Sequence, residues 1–310
     1  MSFPTLIQGP AIVTHNGNTY RSKGDITVKH SRDTFDVETA LHGKIDTRLK
    51  SQKFEISFQP DGALAGLGGL FPWIAGTAIG DSIFTGSALP LVIQGRDGKK
   101  LTFARAGLSK MPAIRLKATD TLFGDMAFTA LAPPTVDLDD ADAWHAVAAN
   151  AFSDTTFDET KVKTARYLAA YGAAAPYDAI ASLDGFEIEV AMETQNIEVD
   201  SYGLVDVILK SLQATAKFIP YGLTVEEITA MIALHDEDAI LPGDSLAKAD
   251  TDLVISAADV FTATLHKAGV RSSDLAWGVG KPRAGELAFS SRRSWTAGTA
   301  NPLITLTIPA

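Results

Sequence analysis

The chain of 310 residues has no cysteine. That excludes disulfides, thiolate metal centres and cysteine nucleophiles, and it lets the chain be built in a reducing cytoplasm. The histidines, His15, His30, His42, His145, His235 and His266, include no pair four residues apart, the spacing that sets two imidazoles on one helical face for zinc. There is no Gly-x-Ser-x-Gly nucleophile elbow. Gly278-Val279-Gly280-Lys281-Pro282 looks like part of a phosphate loop, but Pro282 replaces the required Ser or Thr and Leu275 stands where the first glycine belongs. The start, Met1-Ser2-Phe3-Pro4-Thr5, shows no basic cluster followed by an apolar run, so no secretory signal is expected.

Long apolar runs are scarce as well. Residues 63–80 carry no charge, but they hold five glycines and Pro72, poor material for a helix in lipid. The segment that matches them further on, 223–241, contains Glu226, Glu227, Asp236, Glu237 and Asp238 and cannot cross a bilayer. No membrane span is expected. The acidic run Asp137, Asp139, Asp140 and Asp142 invites a calcium reading. An EF-hand loop starting at Asp137 would need glycine where Asp142 stands and glutamate where Ala148 stands, so a solvated, helix-capping turn fits better. Trp73, Trp144, Trp277 and Trp295 are scattered and read as core or interface anchors before a sugar platform. No acidic residue is singled out as half of a glycosidase pair. The expectation is a chain that is not an enzyme and takes no cofactor or metal.

What is present is a repeat. Phe58-x-Pro60-x-Gly62 returns as Phe218-x-Pro220-x-Gly222, and Leu49-Lys50-Ser51 as Leu209-Lys210-Ser211. Gly80-Asp81-Ser82-Ile83 matches Gly243-Asp244-Ser245-Leu246, and Leu91-Val92-Ile93 matches Leu253-Val254-Ile255. Ala106-Gly107-Leu108 pairs with Ala268-Gly269-Val270, Gly124 to Phe128 with Gly285 to Phe289, and Phe35-Asp36-Val37 with Ile197-Glu198-Val199. The offsets run from 160 to 163, in constant order, which reads as one unit present twice. The boundaries follow: a first unit at 1–133, an acidic joint at 134–173 and a second unit at 174–310. Charge divides unevenly among them. The total is -10, made of +4 over 1–133, -4 over 134–177 and -10 over 178–310. A basic copy and an acidic copy would attract as neighbours, and so acidic a chain is no conventional nucleic-acid binder.

Period-two alternation predicts strands. It runs through Ile26 and Val28, through Phe35, Val37 and Thr39, through Phe54, Ile56 and Phe58, and through Ile114, Leu116 and Ala118. The second unit alternates at Phe186, Ile188 and Val190, at Val260, Thr262 and Thr264, and finally at Leu303 to Ile308. Thr224 followed by Glu227 has capping-box spacing, so a helix is predicted from Thr224 to Leu234, with a shorter or broken equivalent in the first unit. A further helix is expected over Thr160 to Tyr171. The fold class is thus mainly β with a flanking helix per unit (α+β). Residues 40–52 and 202–213 lie between strong strands and mix apolar with charged residues. They predict long hairpin arms with Leu41, Ile45, Leu49, Leu204, Val205 and Ile208 as candidate assembly contacts, packing between subunits or rings and loose in a free monomer.

Several stretches resemble the tail tube (major tail) proteins of long-tailed phages. They are Gly9-Pro10-Ala11-Ile12-Val13-Thr14-His15-Asn16-Gly17, Ser22-Lys23-Gly24-Asp25-Ile26, Thr39-Ala40-Leu41-His42-Gly43-Lys44-Ile45-Asp46, Phe58-Gln59-Pro60-Asp61-Gly62 and 152–162. The resemblance implies two tandem copies of a tail-tube-like β-sandwich or barrel. It also implies a structural virion protein, made in the host cytoplasm, that polymerises into stacked rings. A duplicated chain of this type implies homotrimeric rings with six pseudo-equivalent units. The implied partners are other copies of the chain, the tape measure, tail terminator and baseplate or tip proteins, and phage DNA passing through the lumen without specific binding. Two other classes stay open: a different self-assembling β protein, such as a secretion-system tube or capsid decoration protein, and a carbohydrate-binding or carbohydrate-active β-sandwich.

Overall fold

The structure of the chain is a computed structural model that describes residues 11–61, 79–84, 90–117, 121–132, 145–149, 151–152, 165–172, 175–199, 203–231, 251–258, 260–275, 284–292, 295–296, 299–300 and 302–307. It is mainly β, with one helix among the described residues. The strands begin with β1 (Ala11–His15), β2 (Asn18–Arg21), β3 (Thr27–Thr39), β4 (Gly43–Phe58), β5 (Leu91–Gly95) and β6 (Lys99–Phe103). They continue with β7 (Ala106–Lys110), β8 (Ile114–Leu116), β9 (Thr121–Phe123), β10 (Met126–Ala130), β11 (His145–Ala149) and β12 (Leu168–Tyr171). The long pair β13 (Ala181–Val199) and β14 (Gly203–Tyr221) leads into helix α1 (Val225–Met231). The chain then forms β15 (Leu253–Ala257), β16 (Phe261–Leu265), β17 (Gly269–Leu275), β18 (Ala284–Ser290), β19 (Trp295–Thr296), β20 (Thr299–Ala300) and β21 (Ile304–Thr307).

Four sheets carry the architecture, in the orders β11-β6-β5-β1-β2, β3-β4-β10-β7, β12-β15-β16-β21 and β17-β18-β14-β13-β8-β9. The first two pack face to face. His15 on β1 lies 4.8 Å from the Phe128 ring on β10, and its Nε2 bonds the Ala106 carbonyl at 2.9 Å. The third and fourth sheets are tied in the same way, by Tyr171 on β12. Its ring lies 5.2 Å from Phe289 and its hydroxyl donates to the Ala268 carbonyl at 2.9 Å. Phe58 stacks on Phe128 with planes 11° apart, and Phe218 stacks on Phe289 with planes 1° apart. Apolar side chains from inward strand positions fill these interlayer spaces, which is the dominant favourable term in holding such layers together.

Registers recur as well as residues. Leu91 faces Phe103 where β5 meets β6, and Leu253 faces Leu265 where β15 meets β16. Phe58 faces Met126 across β4 and β10, and Phe218 faces Leu287 across β14 and β18. The β3–β4 ladder slips between Asp33 and Thr34 and between Val37 and Glu38. The β13–β14 ladder slips between Glu193 and Thr194 and between Ile197 and Glu198. Both bulges of one hairpin thus lie 160 residues from those of the other, which matches Val37 to Ile197 and Glu38 to Glu198 and shifts by two residues the expected pairing of Phe35-Asp36-Val37 with Ile197-Glu198-Val199. The turn glycines, Gly43 and Gly203, keep the same spacing and sit at φ 65° and 68°, a left-handed conformation that costs glycine little.

The helix starts as its capping box predicts. The Glu227 carboxylate accepts from the Thr224 amide at 2.7 Å, and the Thr224 hydroxyl accepts from the Glu227 amide at 3.2 Å. The helix expected over Thr160 to Tyr171 is not formed at its end. Leu168–Tyr171 is strand β12, because its backbone completes a ladder with β15 while Tyr171 packs on Phe289. Tertiary pairing outweighs the helix propensity of this alanine-containing stretch. The alternation at Phe35 and Val37 points at no core within the chain, since β3 is exposed or half-exposed along its whole length. Residues 62–78, the acidic run Asp137 to Asp142, His235, Trp73, Trp144, Trp277 and 278–282 lie outside the described residues, as does most of the joint apart from β11 and β12. No helix among the described residues is long and apolar enough to cross a membrane.

Candidate assembly interface

Both predicted arms exist, as the far halves of the β3–β4 and β13–β14 hairpins, but their surroundings differ completely. In the first arm Leu41 is 84% exposed, Ile45 56% and Leu49 49%. In the second, Leu204, Val205 and Ile208 are half-buried, Val207 is 2% exposed and Leu209 is fully buried. The second arm has docked on the first half of its own chain.

The docking uses backbone, apolar and charged contacts together. Residues 80–83 add to β14 as a short antiparallel strip: the Gly80 amide donates to the Leu209 carbonyl at 2.8 Å, the Leu209 amide to Asp81 at 2.9 Å, and the Ile83 amide to Val207 at 2.8 Å. Ile83, Phe84, Leu131 and Val207 form a small buried cluster of their own, with Leu204 against it. Arg105 closes the rim. Its guanidinium donates to the Val205 carbonyl at 3.1 Å, lies 3.4 Å from the Asp206 carboxylate and stacks 4.3 Å over the Phe84 ring. Burial lowers the Arg105 pKa, and the Asp206 charge opposes that. Asp206 also accepts from Ser82 Oγ at 2.6 Å and from the Val207 amide at 2.8 Å.

Nearer the arm's turn, Lys50 on β4 reaches Glu198 at 3.0 Å and Asp33 at 3.4 Å. Hydrogen bonds to these two carboxylates raise the Lys50 pKa. The backbone of Gly203 comes so close to the Lys50 carbonyl that a Cβ there would overlap it. A second junction lies elsewhere. β8 leaves the first part of the chain and pairs with the outer edge of β13, setting Leu116 opposite Phe186 and Ile114 opposite Ile188. That sheet therefore gains strands by addition. Arg115 and Glu187, 3.3 Å apart, and Lys117 and Asp184, 2.8 Å apart, flank the seam.

Chemistry is sparse at these junctions. Beside the β8–β13 seam are two open clefts, of about 280 and 220 Å³, whose ionisable lining includes the two ion pairs just named. No cluster of three or more metal-ligating side chains occurs among the described residues. No family model matches the chain, and no curated protein matches it. The sequence named Leu204, Val205 and Ile208 but missed the residues that seal the contact, Val207 and Leu209, and it missed Arg105. A signal was present. At the positions of Lys44, Thr47 and Arg48 in the first arm, the second arm has Leu204, Val207 and Ile208, an apolar set suited to a face that is covered.

Proposed function

We propose that the chain is a structural virion protein of a long-tailed phage whose rings stack into the tail tube, a conduit for DNA during ejection. In this reading the chain is two tandem copies of a tail-tube-like β-sandwich with a flanking helix. Its function is assembly and not catalysis. Three chains close a ring in which first and second units alternate, giving six pseudo-equivalent positions. The remaining partners are tape measure, terminator and tip proteins, and DNA passes through the lumen without specific binding. The protein would be made in the host cytoplasm and reside in the virion tail.

One observation carries the assembly part of the reading: an arm docked on one side of the chain and bare on the other. The two hairpins share bulges, turn glycine and register, yet Leu209 is buried and Leu49 is 49% exposed. A heterologous contact made once within a chain leaves one unused donor and one unused acceptor at its ends, and repeating it closes a ring. Alternation also sets the +4 unit beside the -10 unit at every contact, which avoids two acidic copies meeting. The tail itself rests on the resemblance of the sequence to tail tube proteins.

Negative-stain electron microscopy of concentrated protein tests this reading. Rings and long tubes support it. Rings that never stack, or that coat another particle, favour a different assembly protein, and persistent monomers that bind glycans favour the carbohydrate class.

A further inference from the structure

We infer that the bare first arm docks on the second unit of another copy of this chain, through charge pairs equivalent to those by which the second arm is held on the first unit. The inference rests on the ring reading and names its contact surface. The template is explicit. Within the chain Glu198 meets Lys50, and Asp206 meets Arg105. Moving both arm residues back by 160 positions gives Glu38 and Asp46, and carrying the acceptors forward by 160 and 162 gives Lys210 and Lys267. Each pair keeps its complementary signs. A random exposed hairpin has no reason to preserve two charge pairs at matched offsets.

Geometry agrees at the arm itself. Asp46 accepts from the following amide, Thr47, at 2.8 Å, as Asp206 accepts from Val207 at 2.8 Å, so both carboxylates are held in one local conformation. Glu38 and Lys210 are both exposed. Asp46 lies 3.2 Å from Arg48 in the undocked arm, a position taken by Ile208 in the docked one. Gly43 keeps the bare, left-handed turn that at Gly203 allows the close approach to Lys50, and the facing backbone on the other copy is Lys210. Leu49 supplies an apolar side chain to be covered, as Leu209 does in the template, while Lys44 and Thr47 stand where the template has Leu204 and Val207, so the charge pairs carry the larger share of this contact.

The test is charge reversal read by ring formation at low salt, using mass photometry across a concentration series. Glu38→Lys with Asp46→Lys should raise the concentration needed for rings at least tenfold without lowering the melting temperature of the monomer. Lys210→Glu with Lys267→Glu should raise that concentration likewise from the other side. The chain carrying all four changes should recover most of the loss, because the attractions are restored with reversed sign. Wild-type rings that tolerate either pair of reversals unchanged would overturn the docking while leaving the ring reading intact. Reversals that leave single rings intact but stop stacking would place the arm between rings, and would also overturn it. A wild-type chain that stays monomeric at every concentration removes the docking and the ring reading together.

Discussion

Leu49 and Leu209 occupy matching positions in two hairpins of one register, so truncating each to alanine compares docked and undocked arms within one molecule. Leu209 is fully buried against the first half of the chain, and its loss removes the transfer energy of the side chain and leaves a cavity. Such changes cost about 2–5 kcal/mol, and the firm backbone strip from Gly80 to Ile83 leaves little room for collapse, so about 3 kcal/mol is expected. Leu49 is already 49% exposed, and no cavity can open on a bare face, so its truncation should cost the monomer less than about 1 kcal/mol. Urea titration below the association concentration measures both. In association the order reverses: Leu49→Ala should weaken ring formation by about tenfold, equivalent to about 1.4 kcal/mol. Equal losses of monomer stability from the two variants would refute the claim that one arm is docked and the other free.

Three further outcomes follow from individual contacts. Gly203→Ala adds both left-handed strain and a clash with the Lys50 carbonyl, whereas Gly43→Ala adds strain alone, so hydrogen exchange over 203–209 should accelerate in the first variant and exchange of the folded monomer should change little elsewhere in the second. Arg105→Ala strips the countercharge and one hydrogen bond from a half-buried Asp206 and a second hydrogen bond from the Val205 carbonyl, and should cost about 1–3 kcal/mol in thermal or urea unfolding, with Arg105→Lys recovering part of it. His15 is buried and its pKa is lowered, chiefly by desolvation, so below pH 6.5 the unfolded chain binds a proton that the folded chain refuses. Melting temperature should therefore fall as pH drops from 6.5 through the lowered folded value and stay level above 6.5. His15→Gln should flatten that slope, and an unchanged slope would assign it to other groups.

Much of the local plan was legible from residues. Alternation at Ile56 and Phe58 and at Phe186, Ile188 and Val190 marked buried positions correctly, and Thr224 with Glu227 marked the helix start. Pairing across distance was not legible. Ile114 and Leu116 alternate like any half-buried strand, but nothing in them says that they add to β13, some seventy residues on, and not to their own sheet. The bulges at Val37 and Ile197 leave no mark in composition, since a bulge is a property of two strands and not of one. The pairing of His15 with Tyr171 as equivalent struts was hidden because different side chains make the same bond to the carbonyls of Ala106 and Ala268. At the candidate interface the arms were visible and their unequal burial was not, because solvent exposure of Leu49 against Leu209 depends on what the rest of the chain places beside them.

The central claim is that one chain supplies two neighbouring positions in a closed ring of three. Native mass spectrometry of rings released from assembled protein measures this directly. The account predicts a dominant species of about 98 kDa, three times the 32.8 kDa chain. A ring of about 197 kDa, six chains, would contradict the alternating arrangement, and a species that never exceeds 32.8 kDa would contradict assembly itself.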